Sequence, residues 1–276
     1  MATSSTGPIR LVVTDVDGTL VRHDKTLAPE TVAAVAALRR HGIKFGLVSS
    51  RPPTGLDVLI EPLAVDTPRA GFNGGLILDP QDKVVAELTI PEAACRAAVA
   101  HLQANGVDTW VFADGLWYAT GDQGHYVPRE KLSIHQDPQL VPDLGPHLGR
   151  VHKVMGASPD FALMGRMEAE IRSKLGPDAS VHRSQSYYLD ITHPQANKGF
   201  AAASLARLLG IDVAEMCCLG DMPNDVPMFE VAGLSVCMGN APDAVQKLAT
   251  EITGSNDETG WADAIDRFVL PRAPKP

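Results

Sequence analysis

Two aspartates one residue apart, in Asp15-Val16-Asp17-Gly18-Thr19-Leu20, follow directly on the apolar run Leu11-Val12-Val13. Further along stand Ser49-Ser50-Arg51, Asn197-Lys198-Gly199 and Gly220-Asp221-Met222-Pro223-Asn224-Asp225. Carboxylates gathered in one place repel one another unless a hard cation neutralises them, and an oxygen-only donor set of this kind suits Mg²⁺. With a cation in place, one aspartate can attack phosphorus as a nucleophile. A second, two residues on, can give a proton to the leaving oxygen and later take one from water. Gly18 permits a sharp turn and a close approach of backbone to phosphate. Ser49 and Lys198 can hold non-bridging oxygens, one with a hydrogen bond and the other with a compact positive charge. The inventory fits phosphoryl transfer.

These residues must be positioned by the elements around them. Short apolar runs alternate with helical patterns at both ends of the chain, the signature of a parallel sheet covered by helices. The spacing predicts strands at Leu11–Val13, Phe45–Val48, Met216–Leu219 and Ser235–Met238. It predicts helices opening at Pro29, with Gly42 as a stop, near Leu205 with Gly210 as a stop, and at Pro242. Three of the strands run into the polar clusters above. Ligands of an open parallel sheet collect outside the carboxyl ends of its strands, where the strand order reverses, so the clusters are expected to share one crevice.

The middle of the chain reads differently. Alternating strands (Val84 to Ile90, Asp108 to Ala113, Tyr187 to Ile191) mix with helices (Pro91 to Asn105, Asp160 to Leu175), and a proline-punctuated loop runs from Asp137 to Pro146. All four tyrosines and two of the three tryptophans, Trp110 and Trp117, lie here. The predicted architecture is therefore α/β: a Rossmann-like parallel-sheet core with helices on both faces, formed by residues 1–80 and 193–276, and an inserted α+β cap over residues 81–192.

Taken in order, the four clusters resemble the motifs of the haloacid dehalogenase superfamily, and most closely its Cof-type phosphatases, which carry a large α/β cap between the second and third motifs. Phe72-Asn73-Gly74-Gly75, Met238-Gly239-Asn240-Ala241 and Ser255-Asn256-Asp257-Glu258 add to the likeness, which spans nearly the whole length. The resemblance implies a magnesium-dependent phosphomonoester hydrolase working through an aspartyl-phosphate. Asp15 is then the nucleophile and Asp17 the acid/base. The metal is held by the Asp15 carboxylate, the Asp17 carbonyl and Asp221, Asp225 orients metal-bound waters, and Ser49, Asn224 and Lys198 contact phosphate. The expected partner is a small phosphorylated metabolite of the sugar phosphate, flavin mononucleotide or pyridoxal phosphate type. Two departures stand out: Ser49-Ser50-Arg51 replaces the usual Thr-Gly-Arg, and Pro223 occupies a commonly acidic position.

Blander readings compete at single positions. Asp15 and Asp17 are also favoured turn residues, Ser49 could cap a helix near Pro52, and Asn73-Gly74 could be only a hairpin turn. Asn240 reads as a cap before the helix at Pro242. An EF-hand loop fails, because Thr19 and Leu20 stand where it needs an acidic or amide residue and a glycine. The cap aromatics are expected to be core, with Tyr187, Tyr188 and Trp117 as alternatives for a substrate surface. Two other functions share the chemistry. A phosphomutase of the phosphomannomutase type has this cap and start, but the cap arginines Arg129, Arg150, Arg166, Arg172 and Arg183 are widely spaced. A receiver-like phosphoacceptor module gathers the same residue types, in a chain about half this size without an insert.

Composition sets the outer limits. The 276 residues, 45% hydrophobic and 21% charged, are those of a globular protein with one large or two ordinary domains. A net charge of −9 gives no reason to expect nucleic acid or an anionic membrane, and it makes a bound cation the natural means of attracting an anionic substrate. Cys95, Cys217, Cys218 and Cys237 form no Cys-x-x-Cys pair and are expected to be buried, reduced thiols of a cytoplasmic protein. No signal peptide is read in Met1–Gly7, no run reaches the ~20 apolar residues of a membrane span, and the nine histidines form no zinc pair. The tail from Pro271 to Pro276 is expected to be disordered. Oligomeric state is left open.

Overall fold

A computed structural model describes residues 7–275; the leader reading at Met1–Gly7 falls almost wholly outside them, as does Pro276. The chain begins with β1 (Leu11–Thr14), crosses over through helix α1 (Pro29–Arg40) to β2 (Lys44–Leu47), and continues into α2 (Asp57–Leu63). α1 starts at its Pro29, where a missing N–H costs nothing, and carries Arg39 and Arg40 in its last turn, where cations complement the helix dipole. A small antiparallel sheet follows, β3 (Arg69–Gly71), β4 (Leu76–Leu78) and β5 (Val84–Glu87).

The insert then supplies α3 (Glu92–Ala104), β6 (Asp108–Ala113), β7 (Leu116–Ala119), α4 (Val127–Ile134), β8 (Gln139–Leu140), β9 (Val151–Ala157), α5 (Phe161–Leu175), β10 (Ser180–Gln185) and β11 (Tyr188–Thr192). The chain returns through α6 (Lys198–Leu208), β12 (Met216–Gly220), α7 (Val226–Val231), β13 (Leu234–Cys237) and β14 (Glu251–Ile252).

Among the described residues the core sheet has the order β14-β13-β12-β1-β2, all parallel. From β1 the chain moves outward to β2 and then crosses to β12 on the other side. The strand order therefore reverses between β1 and β12, the place where such sheets bind ligands. Register aligns the two strand ends: Thr14 pairs with Leu219, and the Asp15 amide donates to the Leu219 carbonyl at 2.9 Å. Alternate side chains bury on opposite faces. Val12, Phe45, Cys217 and Leu219 pack with α1, α2 and the C-terminal Trp261 and Ile265; Leu11, Val13, Met216 and Cys218 pack with α6 and α7. This alternation is why two adjacent cysteines are both buried. All four are buried and free.

The insert's sheet has the order β10-β11-β9-β6-β7-β8. One face carries α3 and α5 over an aliphatic core; the other presents Trp110, Phe112, Trp117, Met155 and Tyr188, which pack with Phe72, Leu76 and Leu78 of the core. Trp110 and Trp117 are completely covered, 4.9 Å apart between ring centres. Trp117 is thus core rather than substrate surface.

Local details depart from the sequence reading. β5, which the sequence assigns to the insert, hydrogen-bonds to β4, so the small sheet straddles position 81. Within the proline-punctuated loop, β8 pairs in parallel with β7. Phe72 and Asn73 both have positive φ, 52° and 55°, in a tight helical turn and not a two-residue hairpin. The tail holds a turn at Leu270–Arg272, whose Arg272 carbonyl accepts the Ile9 amide at 2.8 Å.

Candidate active site

β1 ends by delivering Asp15 to the switch point, β12 delivers Asp221, and the turn opening α7 delivers Asp225. Their carboxylate oxygens lie within 4.8 Å of one another, and all three residues are buried. Lys198, at the first position of α6, reaches in from the side. Its Nζ donates to Asp15 Oδ1 at 2.6 Å and to Asp225 Oδ1 at 2.5 Å, and the side chain is 2% exposed. The α6 entry is fixed by Asn197, whose side chain accepts the Phe200 amide at 2.9 Å. Asn197 thus caps the helix, Lys198 reaches the carboxylates, and Gly199 packs so close to α7 that a Cβ there would stand 2.4 Å from the Pro227 carbonyl oxygen.

One ammonium cannot neutralise three carboxylates. Burial pushes the Asp15 carboxyl up to about 7, against the pull of Lys198 and with the help of Asp225. Burial, reinforced by Asp15 and Asp225, pushes Asp221 up to about 8. Burial works against the Lys198 charge, yet Asp15 and Asp225 hold its ammonium well above the ordinary lysine range. With all three carboxylates ionised the cluster carries two negative charges beyond what Lys198 cancels, and every donor is an oxygen. That donor set fits one hard divalent cation.

Asp225 is committed elsewhere as well: its Oδ2 accepts the amides of Asp221 and Met222, both at 2.8 Å. It thereby shapes the loop that presents Asp221. Gly18 has a φ of +83°, and a Cβ there would stand 2.4 Å from Asp221 Oδ2. No side chain fits between the Asp17 turn and the cluster. Thr19 donates to Asp221 Oδ1 at 3.0 Å, orienting that carboxylate.

The Asp17 carboxylate lies outside this cluster. Arg51 grips it through Nε and Nη2, both at 2.7 Å, and Lys25 adds a contact at 2.6 Å. Burial opposes its ionisation, but Arg51 first and Lys25 next hold its carboxyl well below the usual range. Ser49 is buried, and its hydroxyl accepts the Arg51 amide at 3.1 Å, so it shapes the turn and does not cap a helix. Next to Asp15 the crevice wall is made by Ser50 and Arg51. Asn224 lines the same crevice and lies 3.4 Å from Asn73. Two of the cap tyrosines, Tyr187 and Tyr188, edge it too, with Arg129 and Lys153.

Several contributors escaped the sequence reading. Asn240, read there as a helix cap, donates to the Gly18 carbonyl at 2.9 Å and approaches Asp221 Oδ2 at 3.4 Å. Its own Oδ1 accepts the Asn256 amide at 3.0 Å, and Asn256 donates to the Val21 carbonyl at 2.8 Å. These bonds fasten the turn after β1 to the segment that follows β13. Asn240 had a signal, since it too follows a parallel strand. Arg51 was visible in its motif, but its partner was not. Lys25 had no signal.

A family model of haloacid dehalogenase-like hydrolases matches residues 12–265. The chain belongs to the haloacid dehalogenase-like hydrolases. A haloacid dehalogenase-like hydrolase from Bacteroides thetaiotaomicron superposes with a TM-score of 0.86 at 26% identity, covering 94% of this chain and 99% of that one. The 5-amino-6-(5-phospho-D-ribitylamino)uracil phosphatase YwtE of Bacillus subtilis is 25% identical, over 95% of this chain and 98% of its own length. The pyridoxal phosphate phosphatase YbhA of Escherichia coli is also 25% identical, over 94% and 97%. Within the haloacid dehalogenase-like hydrolases, then, this chain is an enzyme of the phosphatase class.

Proposed function

We propose that the protein is a Mg²⁺-dependent phosphomonoesterase that passes its substrate's phosphoryl group through an aspartyl-phosphate on Asp15. The observation that carries this reading is the buried cluster of Asp15, Asp221 and Asp225 around the Lys198 ammonium at the switch point of the sheet. Asp15, Asp221 and the Asp17 backbone would hold the cation, with Asp225 supporting them. When bound, Mg²⁺ supplies charge that offsets the approach of phosphate to a carboxylate.

An Asp15 carboxylate oxygen forms the new bond to phosphorus as the bond to the alcohol oxygen breaks. Asp17 gives that oxygen its proton. Water then attacks the aspartyl-phosphate, Asp17 takes the proton back, and inorganic phosphate leaves with Asp15 restored. The Arg51 fork keeps Asp17 in its basic form, which suits the second half of the cycle. Protonation for the first half requires that fork to release it. Lys198 and Asn224 steady the phosphoryl oxygens, and Ser49 supports them by setting the turn that carries Arg51.

The insert, about residues 81–192 with its first strand shared with the core, is proposed to select the substrate, a small phosphorylated metabolite. Two of the chain's relatives are named as phosphatases of small phosphate esters, a ribitylaminouracil phosphate and pyridoxal phosphate. Among the described residues no helix is long and apolar enough to cross a membrane. With four buried free thiols, we place the enzyme in the cytoplasm.

The test is Asp15→Asn. Mg²⁺-dependent hydrolysis of p-nitrophenyl phosphate should disappear in the variant while its fold, read by circular dichroism, is kept. Undiminished turnover would overturn the covalent assignment.

A further inference from the structure

Phe72, Asn73 and Gly74 take positive φ in succession, 52°, 55° and 98°. Glycine does so freely, but phenylalanine and asparagine do not, and such residues persist only where their surroundings over-determine them. The surroundings here belong to the site. The Phe72 amide donates to the Arg51 carbonyl and the Asn73 amide to the Ser49 carbonyl, both at 2.8 Å. A Cβ on Gly74 would stand 3.0 Å from Ala201 Cβ and 3.2 Å from the Asn197 carbonyl oxygen, so the turn rests on the start of α6. The insert closes over it: the His152 ring stacks on Phe72 at 5.3 Å between centres. The Lys153 ammonium, 5.7 Å from the Phe72 ring centre, donates to the Ser50 carbonyl at 3.2 Å.

This turn holds the Asn73 side chain in place. The residue is 2% exposed, and a buried amide without partners is costly. It has two. Its Nδ2 lies 3.4 Å from His182 Nε2 on β10, and its Oδ1 accepts from Asn224 Nδ2, also at 3.4 Å. Asn73, His182 and Asn224 all line the chamber along β10, where the insert faces the loop after β12. With both ends of its amide engaged inside the fold, Asn73 acts through Asn224 and not on substrate directly.

Both hydrogen bonds are long, but their polarity is fixed. An amide nitrogen only donates, so His182 Nε2 accepts and the ring proton sits on Nδ1. Burial favours that neutral ring, holding His182 below the usual histidine range. With Nδ2 committed to His182, Asn73 turns Oδ1 to Asn224, and Oδ1 only accepts. Asn224 must then present Nδ2, and spends one of its two hydrogens on Asn73. The second remains for the crevice beside Asp15, which Asn224 lines. Among the described residues the Asn224 side chain has no other hydrogen-bond partner, so nothing else decides which end of its amide serves the crevice.

Resting on the phosphatase reading above, we infer that Asn73 is a positioning residue: with its own amide set by His182 of the insert, it orients the Asn224 amide so that an N–H is offered to a phosphoryl oxygen. The insert thereby contributes to phosphoryl transfer whichever alcohol the substrate carries.

The test is a double-mutant cycle read as kcat/KM for p-nitrophenyl phosphate at saturating Mg²⁺, with urea stability measured alongside. Asn73→Gly keeps the left-handed backbone and deletes the amide. It should lower kcat/KM by roughly tenfold or more, the scale of a misplaced reacting geometry, and Asn224→Ala should lower it at least as far. Adding Asn73→Gly to Asn224→Ala should cost nothing further, because residues that act through one another are not additive. His182→Leu lies outside the turn and removes the acceptor; it should lower kcat/KM severalfold in the parent and not at all in Asn224→Ala. That second cycle carries the test if Asn73→Gly does not fold. Full activity in His182→Leu or in folded Asn73→Gly, or losses that multiply in either double variant, overturns the inference, while hydrolysis by the parent leaves the phosphatase reading standing. A parent that does not hydrolyse p-nitrophenyl phosphate overturns both.

Discussion

Replacing Lys198 with methionine removes the one cation that the carboxylate cluster holds, while nearly keeping the volume. Lys198 is 2% exposed and bonds Asp15 and Asp225 at 2.6 and 2.5 Å. Removing one partner of such a buried pair costs about 3–5 kcal/mol. A direct estimate agrees: unit charges ~4 Å apart at an effective dielectric of ~20 attract by about 4 kcal/mol. For a chain of this size that is a fall in melting temperature of roughly 6–20 °C.

The penalty should depend on pH, with a sign set by the raised carboxyls. Asp15 and Asp221 ionise in the folded protein near 7 and 8, against 3.8 for the free group. Without metal, the folded state therefore holds protons that the unfolded chain has lost, and stability falls as pH climbs from about 4 to about 8. At pH 5.5 both carboxyls keep their protons, and losing Lys198 costs less. Urea denaturation of the Lys198→Met and parent proteins in EDTA, at pH 5.5 and pH 8, measures the difference. The gap should open at pH 8 and narrow at pH 5.5, and kcat should fall by about 10²–10³. Equal stability at pH 8, or a gap wider at pH 5.5, would refute the charge reasoning.

Other substitutions probe the support of the cluster. Gly18→Ala forces a Cβ to within 2.4 Å of Asp221 Oδ2 at a φ of +83°; titration of activity with Mg²⁺ should show a half-saturating concentration raised roughly tenfold or more, and an unchanged curve would show that Asp221 does not hold the metal. Asn240→Ala releases both the Gly18 carbonyl and Asp221, and isothermal titration should find Mg²⁺ bound about 10–100-fold more weakly.

The parts of this site that could be read from the sequence are those tied to the ends of predictable strands. Asp15, Asp221 and Lys198 follow or precede strong apolar patterns, and their order along the chain constrains the topology that joins them. Asp225 was found with the right neighbours but a fuller structural task, since its Oδ2 bonds two amides of its own loop. Partnerships across long separations were out of reach. Arg51 stands in a recognisable motif, yet nothing in its neighbours says that both ends of its fork close on Asp17. Lys25 reaches Asp17 from a loop without a pattern. β5 illustrates a different difficulty: alternation marks a strand but not the sheet it joins, so its pairing with β4 was invisible. The chamber along β10 exists only once the insert is folded against the loop after β12, and no local spacing encodes that contact.

The central claim is that Asp15 carries the phosphoryl group. Rapid acid quench of the enzyme with labelled phosphomonoester and Mg²⁺, followed by borohydride reduction and peptide mass spectrometry, tests it most directly. The acyl-phosphate should be trapped as homoserine at position 15 and at no other aspartate. Turnover with no label on the protein, or label on a different residue, would contradict the account.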